Sequence, residues 1–452
     1  MQAIPLILFL LIFYFYFKNK PAYMLLCMTA VLNSCFGFVD SSYYVFKPTD
    51  MVLIPTILIT VVESFKRKDY FGTRGDGIGR SILLLIIFLV LEFIRTAVWI
   101  DTPVWAFKVV RYNFIILLYF YLRRQNPQVF EQYFKIALVP SIIQGIFFYL
   151  QLVGINVLVG RVDEAETMSQ LTRYANGPAL ASFYVIYYFL KEKDTFVRRV
   201  SAIVFFGFTL VLAQGRGMFL GMGAAFAVFF IIKHKVKYVG YIVIGYIVYS
   251  IFIAPIFAYR NTQGSGGGTL SDIQNVFSGD YTNIDASQGT FSFRIAMLME
   301  RWTYMENNPE TIPFGIGCIH EQSPKNDYYF VIGTVNNDAK YGRVMIDSGD
   351  ITWVPILLRY GLVGIFMFGF VLLMWIRTSL PYVNRINSGL FTVIALTSIS
   401  TTILTVNTTL FDTASGNYSL ALNLAIISSF ISRYKLMHKN VNASKVQAGE
   451  NA

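Results

Sequence analysis

The chain has 452 residues and a formal net charge of +11 at pH 7. Hydrophobic residues make up 55% of it and charged residues only 14%, whereas a water-soluble protein carries about 25% charged residues. This composition excludes a set of soluble domains and indicates a polytopic membrane protein. In such a chain an excess of lysine and arginine reflects membrane topology, so no nucleic-acid partner is expected.

Apolar runs that are long enough, or nearly so, to cross a bilayer recur along the chain. Each run must be helical in lipid, because its backbone groups find no water there. The runs lie at 3–17, 21–39, 50–65, 81–100, 104–121, 136–153, 178–190, 198–213, 217–232, 238–257, 351–376, 388–406 and 417–432. They predict an all-α polytopic membrane protein with about 12 to 13 transmembrane helices and one large, partly helical outer (periplasmic or extracellular) loop.

The runs divide the chain into four predicted parts. Residues 1–257 form an N-terminal transmembrane bundle of about ten helices, 258–350 the large outer loop with part of the candidate site, 351–435 the C-terminal transmembrane helices and 436–452 a disordered cytoplasmic tail. Within the loop, the GSGGG stretch at 264–268 indicates a flexible linker. Apolar residues at helical spacing then predict a helix near 292–307.

Basic residues fix the predicted orientation. They concentrate in alternate connecting segments, at 18–20, 66–80, 123–135, 191–199, 233–237, 377–385 and 433–445. The short connections on the opposite side hold only Lys47, Arg161, Arg173 and Arg216. The positive-inside rule therefore predicts a multi-pass protein with a cytoplasmic C-terminus. The first run lacks a basic leader and a small-residue cleavage site, which favours a retained helix over a signal peptide.

Several cations fall within or beside the outer halves of predicted helices, where an ionisable group is costly. They are Arg95, Lys108, Arg111, Arg216 and Arg359. Arg294 and Arg301 are seven apart on the loop helix and so share a face. Arginine forms a planar fork that matches phosphate oxygens in pairs, which favours a shared anion site. Ion pairing, as between Glu92 and Arg95, or extension to lipid headgroups is the alternative.

Two groups could serve as a base for an acceptor hydroxyl. Asp350 precedes the apolar run at 351–376 and could instead cap its helix. His320 is the one histidine of the predicted loop and could instead be a surface residue. The three cysteines form no CxxC pair and the histidines are scattered, so neither a metal site nor a cofactor is expected.

Four stretches occur in one order between residues 173 and 364. They are RYANGPALA at 173–181, Gln214–Gly217, the series Arg294, Trp302 and Gly315-Ile316-Gly317, and Asp350 followed by Gly361-Leu362-Val363-Gly364. Together they resemble the outer loop, the Arg-Gly pair, the GxG segment and the GxxG re-entry helix of the O-antigen ligase and O-antigen polymerase (Wzy-type) superfamily. Each motif alone is weak, and their order and spacing carry the resemblance.

The resemblance implies a metal-independent glycosyltransferase in the bacterial cytoplasmic membrane, which takes a glycan from an undecaprenyl diphosphate donor on the outer face. Arg216 and Arg294 match the family's functional arginines. With these, Asp350 and His320 complete the catalytic candidates. The substrate-binding candidates are Arg111, Arg301, Arg359, Lys108, Arg173 and Trp302.

One departure from the family pattern bears on the reaction. Ligases of this superfamily commonly have a histidine at the position that Asp350 occupies here, eleven residues ahead of the GxxG. This departure favours a polymerase of surface polysaccharide (O-antigen, capsule or exopolysaccharide), with an undecaprenyl-diphosphate-linked oligosaccharide, the bilayer and a chain-length regulator as partners. The alternatives are a ligase that transfers finished glycan to a lipid or protein, a flippase or transporter of lipid-linked oligosaccharide, and a non-catalytic scaffold.

Overall fold

A computed structural model describes residues 3–40, 46–159, 177–191, 194–212, 216–233, 291–326, 328, 330, 351–405 and 410–450. The protein is an all-α polytopic membrane protein, as the sequence predicts. Its helices are α1 (Ala3–Phe17), α2 (Pro21–Leu32), α3 (Ser34–Gly37), α4 (Pro48–Lys66), α5 (Gly77–Trp99), α6 (Pro103–Val110), α7 (Leu118–Leu122), α8 (Pro127–Leu150), α9 (Ala181–Leu190), α10 (Phe196–Leu212), α11 (Arg216–Lys233), α12 (Phe291–Asn307), α13 (Thr311–Phe314), α14 (Trp353–Ser379), α15 (Gly389–Leu404) and α16 (Ala414–Glu450). Short 3₁₀ segments cover Asn113–Leu117, Gln151–Val153 and Leu380–Tyr382.

Proline and short polar side chains set the start of many helices. Proline is at the first or second position of α2, α4, α6 and α8, where its missing N–H has no helical partner to lose. Asp76 caps α5 by accepting from the Gly79 N–H at 2.9 Å. Ser388 caps α15 through the Phe391 N–H at 3.3 Å. These caps satisfy backbone donors that the first turn leaves open.

Four helical segments of the described chain are long and apolar enough to span a membrane. They are Pro48–Lys66, Gly77–Trp99, Pro127–Val153 and Trp353–Tyr382. A fifth span forms if Pro103–Val110 and Asn113–Leu122, which meet at an angle of 54°, are taken together. The remaining apolar helices are shorter than these. The predicted run at 104–121 is therefore a bent pair, whose break lies beside Arg111, and the run at 238–257 lies outside the described residues.

The predicted loop helix and the predicted C-terminal tail compare differently with the structure. The loop helix predicted near 292–307 is present as α12. The tail predicted as disordered at 436–452 instead continues α16 to Glu450. This tail has no proline and includes alanine at 443 and 448 and lysine at 439 and 445, which favour helix once a preceding helix has supplied the nucleus.

Packing between distant helices places the candidate site at one end of the bundle. Helix α5 packs along α14, α11 packs along α15, and the loop elements α12 and α13 both pack against α14. The contact of α11 with α15 is close, since a Cβ at Gly221 would lie 2.8 Å from the Ser400 hydroxyl. Helix packing therefore accounts for Gly221 in the GxxxG pair of α11.

Candidate functional site

Two glycines bring a loop of the outer region against α14. Residues 315–320 form this loop, which we call the docking loop. Gly315 has φ +65° and Gly361, inside α14, has φ +62°, a region that favours glycine. A Cβ at Gly361 would lie 2.5 Å from the Ile312 carbonyl oxygen, and one at Gly315 would lie 2.4 Å from that of Leu358. This close backbone approach therefore requires both glycines.

Backbone hydrogen bonds join the docking loop to α14 where the helix is broken. The Ile316 N–H donates to the Leu358 carbonyl at 2.9 Å, and the Gly317 N–H donates to that of Arg359 at 3.0 Å. The non-helical conformation of Gly361 interrupts α14 directly after these residues. Carbonyls at an interrupted helix end need other donors, and the docking loop supplies them.

The outer end of α5 holds the other side of the docking loop. Arg95 donates to the Glu92 carboxylate at 2.7 Å and to the Phe314 carbonyl at 2.7 Å. The Cys318 N–H donates to the Thr96 hydroxyl at 2.8 Å. Burial raises the pKa of the Cys318 thiol to about 12, so this thiol stays protonated and is no nucleophile at neutral pH. The sequence left open whether Arg95 joins an anion site or pairs with Glu92, and the structure contains the ion pair with Glu92.

Arg301 and Arg359 lie in one buried layer beneath the docking loop. Arg301 has no exposed surface, its guanidinium carbon lies 4.2 Å from the centre of the Phe330 ring, and its Nη1 lies 2.6 Å from the Glu300 carboxylate. Phe330 packs with Ile319, whose carbonyl accepts from Arg359 Nε at 3.4 Å. Burial lowers the pKa of Arg301 to about 10, so it is charged at neutral pH.

His320 lies at the end of the docking loop against the start of α6. Its ring centre is 5.0 Å from that of Trp105, and Lys108 Nζ lies 3.6 Å from the Trp105 ring centre, within cation–π range. His320 Nδ1 accepts from the Gln322 N–H at 3.1 Å. Because Nδ1 accepts, the neutral ring carries its proton on Nε2. In this tautomer Nε2 is a hydrogen-bond donor, and the Nδ1 lone pair already accepts from Gln322.

Helix α12 places Arg294 on the side that packs against α14. Met297 of α12 is buried in one cluster with Ile351 and Val354. Arg294 precedes Met297 by one turn, and Arg301 follows it by one turn, so all three lie on one face. Arg294 is partly buried. The shared face predicted for the two arginines is present.

Two substrate-binding candidates lie beside carboxylates of other residues. Arg111 is largely buried and its Nη1 lies 2.9 Å from Asp50 of α4. Trp302 donates its ring N–H to the Glu306 carboxylate at 2.6 Å, on the more exposed part of α12. The structure does not bring either side chain to the docking loop.

The remaining candidates fall at or beyond the limits of the described residues. Asp350 and Arg173 lie outside them. Arg216 begins α11, and its side chain is outside the description. Helix α14 begins at Trp353, and Thr352 occupies the N-cap position without a side-chain capping hydrogen bond. The position considered for Asp350 is thus taken by Thr352.

The structure adds residues that sequence reasoning did not select. Trp105 precedes Lys108 by three positions, a helical spacing that puts both on one face and could have indicated their contact. Phe330 gave no such signal, because its contact with Arg301 depends on the tertiary fold. Asp101 is buried, and its Oδ1 accepts from the next backbone N–H at 2.6 Å. Its Oδ2 has no hydrogen-bond partner among the described residues.

Comparison with known proteins finds a family that part of the chain resembles. Residues 201–369 match the model of the O-antigen ligase family. This segment includes α12, α13, the docking loop and the glycine break of α14. A search of curated proteins finds no match to the chain. The matched segment agrees with the resemblance that the sequence indicated, and it is consistent with a membrane glycosyltransferase of the O-antigen ligase and polymerase type.

Proposed function

We propose that this protein is a polymerase of bacterial surface polysaccharide, which joins undecaprenyl-diphosphate-linked repeat units on the outer face of the cytoplasmic membrane. The observation that carries the proposal is the buried layer of Arg301 and Arg359 beneath the docking loop, inside the segment that matches the O-antigen ligase family. A fold alone does not define a reaction, so the argument depends on these side chains and their neighbours.

The proposed reaction transfers a glycan between two lipid-linked substrates. A hydroxyl of the acceptor sugar attacks the anomeric carbon of the donor, and the bond from that carbon to the diphosphate oxygen breaks. The bonding electrons leave with the undecaprenyl diphosphate. Negative charge therefore grows on the diphosphate in the transition state, and fixed cations in a site with little water stabilise it.

Arg216 and Arg294 are the proposed ligands of the leaving diphosphate. A guanidinium binds two phosphate oxygens at once. The location of Arg294 suits this role, because it lies on the α12 face that packs against α14. Arg216 is proposed from the family motif, at the start of the helix that packs on α15.

Asp350 is the proposed base that accepts the proton of the attacking hydroxyl. The next residue in the chain, Ile351, is buried in the cluster that holds Met297 of α12. A base must come within hydrogen-bond reach of the proton that it removes. His320 is the weaker candidate, because its Nδ1 accepts a backbone hydrogen bond, and we assign it a role as a donor to a sugar hydroxyl.

Arg301 and Arg359 are proposed as positioning residues. Arg301 stacks on Phe330, which packs with Ile319 of the docking loop. Arg359 of α14 donates to the Ile319 carbonyl. Through these contacts the two arginines would fix the docking loop relative to α12 and α14. Lys108, stacked on Trp105, lies next to His320 and is proposed to contact substrate. Arg173 remains a candidate for substrate binding from its motif.

A ligase is the second candidate, and the description of the matched family as O-antigen ligase favours it. It would use the same leaving-group chemistry with a different acceptor, either a lipid or a protein. The two enzymes differ in whether a lipid-linked repeat unit alone is sufficient for product formation. A chain-length regulator as partner and a cytoplasmic C-terminus belong to the polymerase proposal.

The proposal is tested with conservative variants in a transfer assay on purified, correctly inserted protein. We expect Arg216→Gln, Arg294→Gln and Asp350→Asn each to lower turnover by at least about 100-fold, the usual contribution of a charge-stabilising group or a general base. Asp347→Asn removes a charge of the same sign three positions earlier in the sequence and serves as the matched control, with turnover close to that of the wild type. Wild-type turnover in both arginine variants would overturn the assignment of the anion site.

A further inference from the structure

Two adjoining cavities lie at the end of the bundle where Lys66 and Arg67 terminate α4. The first, of about 440 Å³, is lined by Lys66, Arg67 and Arg124 together with Tyr16. The second, of about 530 Å³, is lined by Arg124, Arg123, Arg433 and Ser432. Arg124 and Gln125 line both. We treat the two together and call them the basic cavity.

Cations outnumber carboxylates in the lining of the basic cavity. The carboxylates are Glu63 and Asp76. Glu63 already accepts from the Tyr16 hydroxyl at 2.8 Å and lies 3.1 Å from Lys66 and 3.3 Å from Arg67. Asp76 lies 2.6 Å from Arg123. These acids are therefore satisfied while positive charge remains.

Several donors of the remaining cations face the open part of the basic cavity. Side chains of Lys66 and Arg67 are 58% and 50% exposed. Arg433 is exposed and forms no ion pair with any residue that the structure describes. Arg124 Nε is buried and has no hydrogen-bond partner within the described ranges. Asp69, 3.5 Å from Arg124, is 81% exposed and its charge is screened by solvent.

Apolar side chains border the cations. Phe17, which lines the first cavity, is 76% exposed, and Leu436, which lines the second, is 61% exposed. An exposed apolar residue next to a group of cations matches a lipid, whose charged headgroup adjoins its acyl chains. This is also the end of the bundle that the sequence predicts to be cytoplasmic, and anionic lipids of that leaflet attract basic groups.

We propose that the basic cavity binds the phosphate of an anionic lipid headgroup, with the acyl chains lying along Phe17 and Leu436. Arg67 would bind the phosphate from the first cavity and Arg433 from the second, and Arg124 lines both. The proposed site is separate from the docking loop, so it does not depend on the proposed glycosyl transfer.

The test uses the full-length protein in nanodiscs or a neutral detergent. Retention of phosphatidylglycerol is compared with that of phosphatidylcholine by native mass spectrometry, and inorganic phosphate is added in a separate arm. We expect preferential retention of phosphatidylglycerol, with a loss of about fivefold in affinity for each of Arg67→Gln and Arg433→Gln. Lys66 stays in both variants and continues to pair with Glu63. Arg80→Gln removes an exposed cation at the same end that does not line the cavity, and it is expected to change nothing.

Two results would overturn the proposal. The first is equal retention of the two lipids by the wild-type protein. The second is that a double variant, Arg67→Gln with Arg433→Gln, retains phosphatidylglycerol as well as Arg80→Gln does. Either result would exclude an anionic lipid site. Inorganic phosphate that stabilises the protein against heating with no preference between the lipids would identify a site for a soluble anion. The melting temperature of each variant shows that it is folded.

Discussion

Gly361→Ala is expected to separate the docking loop from α14. Alanine at this position needs a backbone conformation, φ +62° and ψ −159°, that only glycine adopts readily, and such strain amounts to about 1–3 kcal/mol. Its Cβ would also meet the carbonyls of Ile312 and Pro313 at 2.5 Å. The backbone must then move, which weakens the two hydrogen bonds from Ile316 and Gly317 at about 0.5–1.5 kcal/mol each.

The local loss totals about 2–6 kcal/mol. If the whole local loss also raises the activation free energy, the lower value of about 2 kcal/mol lowers turnover about 30-fold. The loss of turnover is larger if the docking loop detaches. Turnover and melting temperature are measured on purified protein. Gly207→Ala in α10 is the matched control, since a Cβ there meets nothing within 4 Å and alanine favours helix. Gly361→Ala protein with the turnover and melting temperature of Gly207→Ala would refute the reasoning.

Three further changes test separate parts of the account. Arg301→Gln is expected to lower turnover at least about tenfold, because a charged hydrogen bond contributes about 1.5–3 kcal/mol, while Trp302→Phe next to it stays near wild type; equal effects would contradict the positioning role. Arg111→Ala is expected to lower the melting temperature and leave KM unchanged, because Arg111 pairs with Asp50, and a raised KM with unchanged melting would instead place it in the substrate site. Because the Cys318 thiol is buried and its pKa is raised to about 12, maleimide at pH 8.5 is expected to label it in a Cys27→Ser Cys35→Ser protein only after denaturation, and rapid labelling of that protein when folded would show that the thiol is accessible.

The membrane helices could be predicted from the sequence because the bilayer restricts the backbone conformations that an apolar run can adopt. A long apolar run must be helical in lipid, and α5 and α8 follow from that rule. The bend beside Arg111 did not follow from that rule, and neither did the ion pair of Arg111 with Asp50, which lies far away in the chain. Helix α16 also extends further than its polarity suggested, to Glu450.

Only those parts of the candidate site that contain charged residues or glycine motifs could be predicted from the sequence. Arg359 stood out because an ionisable group at membrane depth needs a reason, and Arg301 because it shares a helical face with Arg294. The structure brings Arg301 and Arg359 together through Ile319 and Phe330. Glycines of the GxG and GxxG motifs were visible in the sequence. Their mutual contact, in which one backbone completes the hydrogen bonds of the other, required the tertiary structure.

The role of His320 also required a geometry that sequence does not contain. A lone histidine in a polar loop fits a base and a donor equally well. The hydrogen bond from the Gln322 N–H to Nδ1 and the stacking on Trp105 distinguish the two roles. They assign the proton of the neutral ring to Nε2, which moves the proposed base to Asp350.

The most direct test of the central claim is an assay with one substrate. Purified protein receives the undecaprenyl-diphosphate-linked repeat unit of its own organism and no other acceptor, and the products are separated by length. The account predicts a ladder of longer lipid-linked glycans that disappears in Asp350→Asn and persists in His320→Gln. Transfer that occurs only after a second lipid or protein acceptor is added would contradict the polymerase assignment and identify a ligase.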